Sequence, residues 1–357
     1  MVAFFVLMLI VALLVERWSL KHALSGVKYD VQPSKSLVEI GEKFDVITTL
    51  RTTERRFVPF LKISEDVPRE LDAKAKRQTS GFDKQRAKIL SSTYLMPMQK
   101  VTRRMQGSLP ARGRYTFLGA TLYGGDFLGL SEQTKYVPLL REVVVMPKPL
   151  AAPNVIDTLG GFLGDISVNR FIMEDPVLTL GFREYTGREP MKTISWPVSA
   201  RMGKMMVKNF DYTLELCVSV ILNVDTEIYG DVADELREVC YSLTRDVCET
   251  LEEKRIKYAF HTNAAAAGMT GAWSYISDGL GGMHLMNIME GLGRAATQQT
   301  STLHALLDNV MRRAEAGRAH VIITPRRDDV DQRALEQLKA RTGAKVLVIC
   351  AEEVAGA

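Results

Sequence analysis

Between Gly181 and Arg201 the chain crowds Arg183, Glu184, Tyr185, Gly187, Arg188, Glu189, Lys192, Trp196, Ser199 and Arg201 into one run with no clear helical or strand period. Two kinds of chemistry fit those residue types. Arg183 and Arg201 can make forked hydrogen bonds to a carboxylate or phosphate, with Tyr185 and Trp196 as pocket walls. The same arginines can instead pair with Glu184 and Glu189, and with the aromatics as anchors they would clamp a connector onto a neighbouring domain. Convergence of the arginines on an open cavity favours the ligand pocket. Internal pairing favours the clamp.

Other catalytic constellations are not formed. The histidines, His22, His261, His284, His304 and His320, are scattered, and neither a Gly-x-Ser-x-Gly elbow nor a Gly-x-x-x-x-Gly-Lys phosphate loop occurs. His261 and Asn263 follow a predicted strand and can reach its end, where a lone histidine reads as structural. Cys217, Cys240, Cys248 and Cys350 lack Cys-x-x-Cys spacing, which argues for reduced thiols and against zinc. The reading is a non-enzyme without a cofactor.

These residues need elements to position them. From Gly26 to Pro149, short β-branched and aromatic runs (Val27–Val31, Phe44–Leu50, Val58–Ile63) and turn residues at Gly41-Glu42-Lys43 predict an antiparallel β sandwich of the immunoglobulin-like kind over 26–150. Arg114–Leu118 and Ala120–Tyr123 alternate around Gly119, then Gly124–Leu130 breaks the chain sharply, and together they predict a second hairpin with a long turn. Glu65–Ser91, rich in Lys, Arg, Asp and Gln, reads as an exposed and partly helical insertion. Pro147, Pro149 and Pro153 end the domain.

Residues 151–210 form a connector carrying the run described above. Over 211–357 the pattern alternates strand and helix. Leu214–Asn223, Tyr258–His261, His320–Thr324 and Lys345–Cys350 read as strands, and Asp231–Lys257 (capped by Asp231), Met283–Leu292, Leu303–Arg313 and Val330–Ala340 as helices. That order predicts a doubly wound, mostly parallel sheet whose ligand crevice lies at the carboxyl ends of the strands.

The chain has 357 residues, 46% apolar and 25% charged, which fits a folded protein of two or more domains. Met1–Val15 holds no polar residue and ends at Glu16-Arg17-Trp18. As a helix of about 22 Å it predicts a membrane anchor over 1–18, with Trp18 at the interface. Arg17, Lys21 and Lys28 flank only its C-terminal side, so the positive-inside rule places the soluble part in the cytoplasm of a single-pass membrane protein. The net charge is +4, and the basic stretches Arg51–Arg56, Lys74–Lys88 and Arg103–Arg114 suit anionic headgroups. They lack the interleaved aromatics of a nucleic-acid platform, so nucleic acid is not an expected partner.

The spacing of Arg183, Tyr185, Gly187, Glu189, Ile194, Trp196, Ser199, Ala200 and Arg201, together with Arg112-Gly113-Arg114-Tyr115 and Asp126-Phe127-Leu128-Gly129-Leu130 upstream, resembles the bacterial family called domain of unknown function fifty-eight. Two departures mark this chain. Arg188 stands where the family has an acidic residue, with Glu189 next, and the segment between Tyr185 and Gly187 is one residue shorter. The resemblance implies a von Willebrand factor A-like fold for the last domain, whose metal motif, Asp-x-Ser-x-Ser, falls here on Asn223, Asp225 and Glu227. Without the serine hydroxyls the expectation is a degenerate site and no metal. The resemblance also implies partnership with a MoxR-type AAA+ ATPase and a transglutaminase-like membrane protein. The resulting expectation is a membrane-anchored interaction or scaffold protein, the alternative being a ligand-binding module or enzyme around Arg183, Tyr185, Trp196 and Arg201.

Overall fold

The computed structural model describes residues 4, 8, 17, 24–55, 57–73, 77–79, 86–125, 132–170, 179–187, 189–210, 216–269, 272–313 and 318–355. The chain divides into two compact units, residues 1–148 with 289–295 and residues 149–288 with 296–357. The anchor expected over 1–18 lies outside the described residues except at Phe4, Met8 and Arg17. Among the described residues no helix is long and apolar enough to cross a membrane.

The first unit is a β sandwich. Its strands are β1 (Val27–Pro33), β2 (Leu37–Val38), β3 (Phe44–Thr52), β4 (Val58–Pro68), β5 (Asp72–Ala73), β6 (Arg77–Thr79), β7 (Arg86–Leu95), β8 (Lys100–Ser108), β9 (Gly113–Gly125) and β10 (Glu132–Val145). One sheet runs β1-β3-β8-β5 and the other β2-β10-β9-β4-β7-β6. Alternation does the folding: Val27, Tyr29 and Val31 of β1, Phe44, Val46 and Leu50 of β3, and Leu61, Ile63 and Val67 of β4 point into one shared core.

Where it is described, the stretch Glu65–Ser91 is extended, not an exposed, partly helical insertion. Apart from the turn at Arg69–Leu71 its described residues belong to β4, β5, β6 and β7, and Glu65 lies on the same face of β4 as Ile63 and Val67, inside the core. The burial is possible because the carboxylate accepts from Tyr29 Oη (3.1 Å), Thr48 Oγ1 (2.6 Å) and the Arg103 guanidinium, all from the opposite sheet. A buried charge with three donors tolerates a site that a lone carboxylate would not. Burial and the adjacent Glu65 charge push the Tyr29 hydroxyl far up.

Arg114–Leu118 and Ala120–Tyr123 belong to one strand, β9. Gly119 sits in its middle at φ +108°, and a Cβ there would lie 2.1 Å from the Val137 carbonyl oxygen, opposite the irregularity between Pro138 and Arg141 in β10. Glycine keeps the ladder continuous where the partner strand bulges. The hairpin that β9 and β10 form was expected; its turn, with Asp126–Leu130, lies outside the described residues.

The second unit contains, in order, α1 (Pro153–Arg170), β11 (Thr179–Glu184), a 3-10 turn at Met191–Thr193, α2 (Trp196–Met202), β12 (Met206–Phe210), β13 (Cys217–Leu222), α3 (Asp231–Glu253), β14 (Lys257–Thr262), β15 (Ala264–Ala266), β16 (Tyr275–Gly279), α4 (Gly282–Arg294), β17 (Ala295–Gln299), α5 (Leu303–Arg313), β18 (Ala319–Thr324), α6 (Gln332–Thr342), β19 (Val346–Cys350) and α7 (Ala351–Ala355). Residues 289–295 at the end of α4 and the start of β17 are counted with the first unit.

The main sheet runs β16-β14-β13-β18-β19. Four strands are parallel and the edge strand β16 is antiparallel, so the sheet is mixed. β16 was not foreseen because Tyr-Ile-Ser-Asp-Gly carries no apolar run, and an edge strand needs none. Ile221 and Ile322 pack with α5 and α6. Right-handed crossovers in opposite directions from β13 put α3 on the other face. Gly230 (φ 85°), not Asp231, occupies the cap position of α3; Asp231 and Asp234 sit in its first turn, favourable to the helix dipole.

Candidate functional site

The Gly181–Arg201 run folds as a small element of its own. β11 and β12 pair antiparallel, with Phe182 opposite Lys208 and Arg183 opposite Val207, and the 3-10 turn and α2 fill the connection. Pro197 suits the first turn of α2, where its missing N–H costs nothing, and Gly203 at φ 63° ends the helix. The Ser199 hydroxyl donates to Ser195 O (2.8 Å) and accepts from Met206 N (2.8 Å), which fixes α2 against β12. Ser199 is a structural residue of this element.

Glu189 accepts from Thr186 Oγ1 (2.8 Å), Thr186 N (3.1 Å) and the Arg183 guanidinium. The Thr186 hydroxyl first, then Arg183, hold its carboxyl down to about 2. Residue 188, where the resemblance leads one to expect an acid, lies outside the described residues. Gly187 takes φ +88° and turns the chain so that Glu189 can reach back to Thr186. Glu184 pairs with Lys204 at 2.8 Å, and that bond raises the lysine.

Arg183 is thus internally paired but 49% exposed, while Arg201 projects from α2 and Trp196 is 60% exposed at its start. Neither arginine lines any of the cavities described at Lys43–Ser108, Leu150–Val354 or Pro68–Thr116. Both ion pairs stay within residues 183–204, so they tie the element to itself.

The second site is the carboxyl edge of the main sheet, where β13 has β14 on one side and β18 on the other, the place where open α/β sheets bind ligands. Here the polar side chains are engaged with one another. Asn223 accepts from Asp225 N (3.0 Å) and Asn263 Nδ2 (2.7 Å), and donates to Thr324 Oγ1 (3.1 Å). Asn263 accepts from Val224 N (2.9 Å) and donates to Ser301 O (3.1 Å). Asp225 accepts from Leu303 N (3.2 Å) at the start of α5. Thr226 donates to Asp329 (3.2 Å), which also accepts from Arg326 N (3.0 Å); burial pushes the Asp329 carboxyl up against those bonds.

Asn223 and Asp225 are therefore part of a hydrogen-bonded lock, and Glu227, whose backbone bonds to Asp329, is exposed at its edge. Among the described residues no group of three His, Cys, Asp or Glu is arranged to hold a metal ion. Thr324, at the end of β18, and Ser301 and Asp329, from loops, were missed as members of this lock because they lie far along the chain. Beside the lock stands Tyr229, 88% exposed, with Val232 and the carboxylates of Glu227, Asp231, Asp234 and Glu235 around it in sequence.

The buried histidines offer no acid-base pair. His261 and His320 lie in β14 and β18, and burial above all, then each other's proximity for His261 and Arg318 for both, brings each down to about 4. Among the described residues neither ring nitrogen of His320 has a hydrogen-bond partner. His261 packs against the Tyr275 ring at 4.8 Å. Burial also raises the thiols, Cys350 to about 11, Cys240 well above its ordinary value and Cys248 far up, which suits inert side chains.

Upstream, Arg112 donates to the Leu292 and Ala295 carbonyl oxygens at 2.7 Å each, and Arg114 pairs with Glu142 at 2.7 Å, all within the first unit. Arg112 serves there as a cap for helix-end carbonyls.

No family model matches the chain, and no curated protein does. Solved structures similar to it include a cohesin module of a family 33 glycoside hydrolase from Clostridium perfringens (10% identity, TM-score 0.25, 33% of this chain and 96% of that one). Others are the CARDB domain of a Pyrococcus furiosus protein (10%, 0.21, 33% and 91%) and the bacterial hydrophobin BslA (12%, 0.22, 35% and 98%). At these scores the likenesses carry no argument about function.

Proposed function

We propose that this chain is a membrane-anchored interaction protein whose second unit, a von Willebrand factor A-like domain, receives a protein partner at the carboxyl edge of its main sheet. The first unit would be an immunoglobulin-like domain between anchor and partner, and the soluble part would face the cytoplasm. The observation that carries the reading is the pairing of a closed polar lock with an exposed aromatic: Asn223, Asp225 and Asn263 are engaged internally, while Tyr229 stands 88% exposed among carboxylates. A site built to hold a small ligand keeps convergent polar groups open. A large, solvated aromatic with a charged rim suits a protein interface, where Tyr is a common anchor.

By the sequence resemblance to domain of unknown function fifty-eight, the partner would be a MoxR-type AAA+ ATPase, with a transglutaminase-like membrane protein in the same assembly. The alternative, a ligand-binding module or enzyme around Arg183, Tyr185, Trp196 and Arg201, draws less support because Arg183 is already engaged by Glu189.

The test is affinity recovery of the tagged full-length protein from detergent-extracted membranes under nucleotide-trapping conditions, beside the Tyr229→Ala variant. The expected result is an ATPase recovered with the parent and lost at least tenfold, roughly, with the variant, as for an interface hot spot. Recovery of no ATPase, or equal recovery with both, defeats the proposal. A reporter fused after Ala357 that is active only outside the cytoplasm would overturn the topology.

A further inference from the structure

The element formed by β11, α2 and β12 is inside out by the standard of a small fold. Among its side chains whose burial is described, the buried apolar ones are Ile194, Met206 and Val207, whereas Phe182, Met191, Trp196, Met202 and Met205 are each between 43% and 65% exposed. Isolated exposed apolar residues need no explanation, but five within one short element mark a contact surface.

Its charges have a definite sign. Glu189 is engaged by Arg183 and Glu184 by Lys204, so both described carboxylates of the element are neutralised locally. Lys192, Arg201 and Lys208 are exposed and make no ion pair among the described residues. The surface offered to a partner is therefore apolar and cationic.

From this we infer that the β11–α2–β12 element docks on an anionic lipid bilayer, with Trp196 and the methionines entering the headgroup region and Lys192, Arg201 and Lys208 meeting the lipid phosphates. Three features favour a bilayer over an acidic protein. The exposed apolar side chains are spread over a strand, a 3-10 turn, a short helix and a loop and do not follow the i, i+3, i+4 spacing of a single helix-binding stripe. A fluid surface needs no such stripe. Trp is the side chain best suited to the membrane interface, and the long stems of Lys and Arg let their charges remain at the phosphates while the stems lie in apolar surroundings. Methionine, flexible and unbranched, adapts to an irregular surface. This goes beyond the protein partner proposed at Tyr229 and does not depend on it.

Full-length protein reconstituted into vesicles of phosphatidylcholine brominated in its acyl chains, with or without equimolar phosphatidylglycerol, provides the test. Trp18 and Trp273 also emit, so the Trp196 contribution is the fluorescence that Trp196→Phe removes. The expected result is quenching of Trp196 in the anionic vesicles alone. It should fall at least about tenfold in the Lys192→Glu/Arg201→Glu/Lys208→Glu variant and weaken as salt is added.

Trp196 unquenched in both vesicles, or quenched equally in both, overturns the inference. So does shielding of Trp196 only when the ATPase is bound, which assigns the surface to a protein. A Met191→Ser/Met202→Ser variant, whose replaced side chains are solvent-exposed, provides a second reading if the charge-reversed protein misfolds: it should lose quenching with its far-ultraviolet circular dichroism unchanged. Loss of ATPase recovery with lipid quenching intact would count against the partner proposal alone.

Discussion

Glu65 and Glu189 are held by nearly the same donors, an arginine and a threonine hydroxyl each, in two very different regions. Glu65 is buried between the sheets of the sandwich and adds a tyrosine from the opposite sheet. Glu189 lies in a surface element, and its further donors include a backbone N–H three residues away. What differs is the alternative available to each group. If its partners are removed, Glu189 turns to water, while the groups around Glu65 stay in the core without a bond. Location, more than the list of partners, decides whether a polar network holds a fold together.

The strongest way to sharpen that contrast uses buried titratable rings. His261 and His320, each brought down to about 4 by burial, are neutral in the folded protein and protonate near 6.5 when unfolded. Between those values the unfolded state binds more protons, so stability is fully present above about pH 6.5 and is lost as pH falls toward 4. Each histidine contributes up to about 3 kcal/mol to that loss. Urea unfolding at stepped pH should show the second unit weakening across this window, and His320→Phe should flatten its slope. An unchanged midpoint from pH 7 to 4.5 would show that these rings reach water.

Next in size is Glu65→Ala. Two buried hydroxyls lose their acceptor at about 1–3 kcal/mol each, while Arg103, partly exposed, turns outward. The expected cost is about 3 kcal/mol in denaturant unfolding of the sandwich, with Glu65→Gln intermediate. Asn263→Ala should follow at about 2 kcal/mol, because Val224 N and Asn223 both lose a buried partner. A cost below about 0.5 kcal/mol at either position would mean that water replaces the missing side chain.

The sequence made the main strands and helices legible because they have strong periods: the alternation in β3 and the apolar spacing of α3, α5 and α6 require little context. It misled at Glu65–Ser91, where Ile-Ser-Glu-Asp-Val reads as solvated until Tyr29, Thr48 and Arg103 arrive from strands distant in the chain. The same limit hid the lock at the sheet edge. Asn223 and Asp225 were noticeable as a truncated metal motif, but Ser301, Thr324 and Asp329 come close to them only after the crossovers form. In the Gly181–Arg201 run the residue types were informative and their pairing was not: Arg183 and Glu189 meet because Gly187 turns the chain between them, a backbone property that the motif's side chains do not reveal.

The smallest effect is the most direct test of the opening contrast. Glu189→Gln should leave the denaturation midpoint unchanged within measurement scatter, although the carboxyl is held down to about 2. The sign is that of a depressed acid: whatever stability the network supplies is present above the ordinary carboxylate range and lost as pH falls toward 2. Exposure and the short reach of the contacts keep that amount small, because water and salt serve both partners once they separate. The network should instead be visible in the titration itself. Observed by side-chain carboxyl NMR, Thr186→Val and Arg183→Ala should each move the Glu189 midpoint up toward the ordinary range, with no parallel loss of stability. If Glu189→Gln destabilises the protein as much as Glu65→Gln does, the surface network is a structural clamp after all, and the element cannot be free to present Trp196 and Arg201 to a membrane.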